Sequence, residues 1–144
     1  MANRVRVTFT TKGLMESLGA SRRKVQKARE AFDVAVATEL KRLAEEDFDK
    51  RSRGASGATG RKWKRLAPST VQKKGSTIIG IDQGDLVNSL KVTVNNRGIS
   101  ATYAAPHAGY FDEERPLLPS SLPMTWERKL EEAGKKAVIR VLGQ

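Results

Sequence analysis

The residues that could do chemistry are few. The chain has one histidine, His107, and no cysteine. A catalytic relay needs a nucleophile and an orienting acid beside the imidazole, and a metal site needs further ligands. The sequence supplies neither around His107, which reads as a polar residue at a strand-to-loop corner. Asp82 and Asp85 fall at the start of a short helical pattern and read as helix caps, because two carboxylates are too few for a cation site. The expectation is a non-enzymatic protein with no catalytic, cofactor-binding or metal residues and no cofactor. The strongest chemical feature is electrostatic. Residues 51–74 carry eight basic side chains and no acid, out of a net charge of +11 for the whole chain. Arg51, Arg53, Arg61, Lys62, Lys64, Arg65, Lys73 and Lys74 therefore form a candidate contact for a polyanion or an acidic protein face. The same composition also suits a solvated loop. Tyr110, Phe111, Asp112, Glu113 and Glu114 are the natural opposite, a candidate intersubunit acidic patch.

Several elements would position these groups. Val5, Val7 and Phe9 alternate with Arg4, Arg6, Thr8 and Thr10, the period of a strand with one face on a core. From Arg22 to about Asp49, Val25, Ala28, Phe32, Val36, Leu40, Leu43 and Phe48 recur at helical spacing, for a helix roughly 40 Å long. Its charges run against the helix dipole, with Arg22, Arg23, Lys24 and Lys27 at the start and Glu45, Glu46, Asp47 and Asp49 at the end. The glycine- and serine-bearing stretch from about 50 to 62 reads as a flexible basic loop. Trp63 and Leu66 then read as an anchor holding the end of that loop to the core, under long basic stems that keep their charges in water.

Pro68 fits the first position of a short helix ended by Gly75, and a second short helix runs from Asp82 to Leu90 with Leu86 on its inner face. Leu90, Val92 and Val94, then Ile99, Ala101 and Tyr103, alternate on either side of a turn at Asn96–Gly98, a hairpin signature. Leu117 and Leu118 are expected to dock on the core. A final helix from about Met124 to Leu142 carries Trp126, Leu130 and Val138 inward, with acids early and bases late.

At 144 residues the chain reads as a single α+β domain spanning 1–144: an antiparallel sheet of three to four strands packed against a long N-terminal helix and a C-terminal helix. Thr77–Ile81 is the spare strand candidate. Its start lacks a signal-peptide core and no apolar run approaches about 18 residues, so a soluble protein made in a cytoplasm is expected. The alternative functional reading is a small basic nucleic-acid-binding module using the 51–74 segment.

The order of these features resembles the phage virion morphogenesis family, the tail-completion or head–tail joining proteins of tailed phages. The resemblance rests on Trp63, Leu66, Pro68 and Thr70 followed by Lys74–Gly75, then Gly84, Leu86 and Ser89, then the hairpin into Tyr103–Ala104. His107 and Gly109 follow, and finally Arg115, Pro116 and Leu118. It covers roughly residues 60–120. The sequence departs from the family pattern in having one residue rather than two between His107 and Gly109, and Leu117 in place of phenylalanine. The resemblance implies a structural virion subunit at the head–tail junction or tail end, made in the host cytoplasm. It implies a homo-oligomeric ring, six-fold favoured, that meets neighbouring neck, connector or tail-tube proteins. It also implies non-specific contact with DNA in the channel and no membrane.

Overall fold

A long helix forms the middle layer of the molecule. The computed structural model describes residues 4–8, 22–58, 62–65, 68–69, 72, 86–95, 98–105, 108, 112 and 115–143. In chain order these form β1 (Arg4–Val7), α1 (Arg22–Ser52), a single 3-10 turn (Val87–Ser89), β2 (Leu90–Asn95), β3 (Gly98–Tyr103) and α2 (Met124–Leu142). The three strands make an antiparallel sheet in the order β1-β3-β2. This is the α+β arrangement the sequence implies, with three strands among the described residues.

The strand alternation fixes which face is inward. Register pairs Val5 with Ala101 and Val92, and Val7 with Ile99 and Val94, so these side chains share one face. Val5, Val7, Ile99, Ala101 and Tyr103 are buried. Gly98, opposite Asn95 at the hairpin, has φ +128, and a Cβ there would run into the Val7 carbonyl and the Thr8 methyl. Glycine is therefore required at this turn by both conformation and space.

The helix α1 lies against β2 and β3 on one side and more extensively against α2 on the other. Its buried ladder explains how one helix serves both. Ala28, Phe32, Val36, Leu40, Ala44 and Phe48 are spaced by four, and each such step drifts about 40° around the axis. The buried face therefore turns along the helix. Phe32 meets Gly134 of α2, whereas Phe48 meets Tyr103 of β3 at a ring-centroid distance of 5.6 Å. The sequence reading packs this helix against the sheet; the structure adds α2 as a second partner. In α2 the buried ladder has the same spacing but is shorter: Trp126, Leu130, Gly134 and Val138. No described helix is long and apolar enough to cross a membrane.

Two boundaries differ from the sequence reading. The helix α1 continues through Lys50, Arg51 and Ser52, residues assigned by composition to the loop. It continues because three of the four acids near its end have a base four residues on. Glu46 pairs with Lys50 at 2.9 Å, Asp47 with Arg51 at 3.6 Å and Asp49 with Arg53 at 3.2 Å. These pairs run acid to base toward the C-terminus, the favourable sense for the dipole, and they offset the unfavourable acids. Lys50 pulls the Glu46 carboxyl below its ordinary range, helped by Arg42. The second difference is local: the helix expected to end at Leu90 closes as the 3-10 turn, and Leu90 already belongs to β2. The first short helix is described only at Pro68, Ser69 and Gln72, whose backbone is helical. Thr77–Ile81 lies outside the described residues.

Candidate functional site

Three chain segments meet at the C-terminal end of α1, and their meeting point is a buried ion pair. Asp47 and Arg51 fall one helical turn apart on the inward face, and both are buried, at 3% and 2% exposure. Asp47 Oδ1 accepts the Ala58 N–H at 2.7 Å, which folds the 53–58 loop back onto the helix. Gly57 in that loop has φ +65, and a Cβ there would strike the Asp47 carboxylate and the Arg51 stem. Arg51 Nη1 donates to the Pro116 carbonyl at 2.6 Å, and its guanidinium lies 5.5 Å from the centre of the Trp63 ring.

The Trp63 side chain completes this corner. It is buried, packs edge-on to Phe48 at 5.1 Å, and its Nε1–H donates to the same Pro116 carbonyl at 2.8 Å. The Arg115 guanidinium reaches back across to the Lys64 carbonyl at 2.8 Å and the Arg65 carbonyl at 3.4 Å. On the far side, Asp112 Oδ1 accepts the Leu117 N–H at 2.9 Å, and Leu117 and Leu118 are completely buried. Segments about fifty residues apart in sequence are thus fastened through main-chain carbonyls, which fixes backbone paths rather than side-chain identities.

Burial governs the ionisation here. It pushes the Asp47 carboxyl above its ordinary range, against the Ala58 N–H and Arg51, which pull it down. Burial also holds the Tyr103 phenol well above its ordinary value, with the charges of Asp47 and Glu45 adding in the same sense. A neutral Tyr103 is the state this corner accommodates. Beside the corner, between α1, the 55–58 loop and the start of α2, lies an open cleft of about 390 Å³ whose walls include Lys50, Asp47, Ser56, Trp126 and Lys129.

The residues expected to act at the surface divide into three groups. Arg53, Lys62, Lys64 and Arg65 are exposed, as an interaction role requires. Arg51 is corrected: it is a buried structural cation, because a guanidinium enclosed by Trp63, Asp47 and the Pro116 carbonyl has no face left for DNA or a neighbouring protein. Asp112 is corrected in the same way. It is buried and spends an oxygen on the Leu117 N–H, so it holds its own loop rather than offering charge to another subunit. Arg61, Lys73, Lys74, Tyr110, Phe111, Glu113, Glu114 and His107 lie outside the described residues. Among the anchors, Trp63, Leu86 and Trp126 are buried, and Leu66 lies outside the described residues.

Sequence reasoning missed the Asp47–Arg51 pair. The signal available was two opposite charges four apart whose positions coincide with the inward face of an otherwise apolar ladder. Among the described residues no group of three or more histidines and carboxylates is placed to hold a metal ion. No family model, curated protein or solved structure matches the chain.

Proposed function

We propose that this chain is a structural virion subunit of a tailed phage, which completes the tail or joins head to tail as a ring-forming subunit at the neck. The observation that supports the reading is the corner itself. The tryptophan-led segment and the Arg115–Pro116 segment carry the two ends of the family resemblance, and they are fastened to each other through Trp63, Arg115 and the Pro116 carbonyl. A corner built on main-chain carbonyls presents the exposed Lys62, Lys64 and Arg65 from a fixed frame. That frame suits a protein whose task is to hold neighbours in register. In a closed ring one patch meets a different patch on the next subunit. Lys62, Lys64 and Arg65, exposed in this frame, are our candidates for one half of that contact. The other partners are neighbouring neck, connector or tail-tube proteins, and DNA passing through the channel.

The test is the mass of the purified protein in solution, followed by its localisation in particles. A discrete ring-sized oligomer, antibody label at the neck or tail end, and unjoined or incomplete particles on deletion are the expected results. A strictly monomeric protein that binds duplex DNA tightly at physiological salt and never enters virions would overturn the reading.

A further inference from the structure

Among the described residues, the face of the sheet turned away from α1 carries no hydrophobic side chain and a one-sided charge, with Ser100 buried at its centre. Register places Arg4, Thr102 and Lys91 in one row across the three strands, and Arg6, Ser100 and Thr93 in the next. Arg4, Arg6, Lys91 and Thr93 are exposed. Arg6 lies over the central strand, its Nε donating to Ser100 Oγ at 3.4 Å. No carboxylate shares this face among the described residues, since every position on it is Arg, Lys, Ser, Thr, Asn or Gly.

The C-terminal half of α1 differs, since Lys41, Arg42 and Lys50 each have a carboxylate within 4 Å, as does Arg53 just beyond it. A sheet gains from opposite charges set across neighbouring strands, and here that option is unused. Arg4 and Arg6 stand about 6.8 Å apart along β1, and Lys91 stands about 9.6 Å from Arg4 across β3. Among the described residues no carboxylate on this face offsets these three like charges, and an external anion relieves them.

We propose that this open sheet face is a second polyanion surface, which binds the sugar–phosphate backbone of duplex nucleic acid without reading its sequence. A protein partner would want an apolar centre with aromatic residues, and among the described residues this face has none. Single strands would want aromatic platforms for their bases, which are equally absent. Guanidinium forks, an ammonium and hydroxyl groups are the groups that contact phosphate. The surface is distinct from the 51–74 segment and does not depend on the chain forming a ring.

The test uses the full chain and a labelled mixed-sequence duplex of about 30 base pairs, titrated by fluorescence anisotropy between about 50 and 200 mM salt. The variant R4Q/R6Q/K91Q is compared with wild type and with K62Q/K64Q/R65Q. Each phosphate contact contributes about 0.9 to the slope of log affinity against log salt, so the sheet variant loses about 2.7 from the slope. Wild type then weakens about 40-fold more than the sheet variant over that salt range. The single variants R4Q and K91Q each lower the slope by about 0.9 and keep the test available if the triple variant unfolds. Absence of duplex binding by wild type at the low-salt end overturns the proposal. So does an unchanged slope in the sheet variants, preferential binding of poly-glutamate over duplex, or a sheet variant that changes only the oligomer mass. The oligomer mass is read separately and reports on the ring alone.

Discussion

Replacing Arg51 by methionine isolates what the buried pair does. Methionine keeps most of the stem, but removes the charge facing Asp47, the guanidinium over Trp63 and the donor to the Pro116 carbonyl. Breaking a buried pair by removing one partner costs about 3–5 kcal/mol, because the surviving charge is left in a low-dielectric site. For a chain of 144 residues, the unfolding entropy near the midpoint is about 0.3 kcal/mol per degree, so the melting temperature should fall by about 10–17 °C at neutral pH. The pH dependence is the sharper readout. Asp47 already has its folded-state pKa raised by burial, with Arg51 among the groups opposing the rise. Its favourable contribution is therefore complete below the ordinary carboxylate range and is lost as pH rises through the folded-state value. Without Arg51 that value climbs further and the loss deepens. The destabilisation of Arg51→Met relative to wild type should accordingly shrink as pH is lowered from 7 toward 4, and Asp47→Asn in the same background should recover much of it at pH 7. Thermal melts by circular dichroism across that range decide the matter. A variant as stable as wild type at pH 7, or one whose deficit is the same at every pH, refutes the reasoning that an uncompensated Asp47 charge is the cause.

The remaining predictions concern packing and the loop. Gly134→Ala should destabilise although alanine favours a helix by about 1 kcal/mol, since a Cβ there falls inside contact distance of three atoms of the Phe32 ring. Overpacking of about 1–3 kcal/mol leaves a net loss of up to about 2 kcal/mol and a melting temperature lower by up to about 7 °C. A rise in melting temperature would show that the ring yields freely. Asp112→Ala should expose or orphan the buried Leu117 N–H, at a cost of about 1–3 kcal/mol. The Leu117 amide should then exchange with solvent much faster, which hydrogen exchange by NMR detects residue by residue.

The fold was legible where periodicity is simple. The alternation of Val5 and Val7, the hairpin around Gly98 and the spacing of Trp126, Leu130 and Val138 each announce one buried face, and each element lies where that pattern puts it. The end of α1 was illegible for a physical reason. Arg51 and Ser52 look like loop residues by composition, and only their three-dimensional partners make a buried cation tolerable. The same holds for Asp112, which shares a run of acids with Glu113 and Glu114 but is the one whose oxygen meets a main-chain N–H. The charge of residues 51–74 was visible, but its division between an enclosed Arg51 and exposed Lys62, Lys64 and Arg65 depends on where Trp63 and Pro116 come to rest. The open sheet face, with only three cations scattered over residues 4–91, makes no cluster in the linear sequence.

The turning ladder of α1 makes the length of that helix a fixed quantity. Phe32 must point at Gly134 while Phe48 and Arg51 point at Trp63, so the two ends of the helix are locked in rotational phase. One residue inserted near Thr38 would rotate everything beyond it by about 100° and carry Asp47 and Arg51 out of their corner. Seven residues would restore the phase to within about 20°, yet would push the corner about 10.5 Å along the axis and away from Pro116. Insertions and deletions in relatives of this protein should therefore fall in the connections, with the distance from Phe32 to Arg51 held constant.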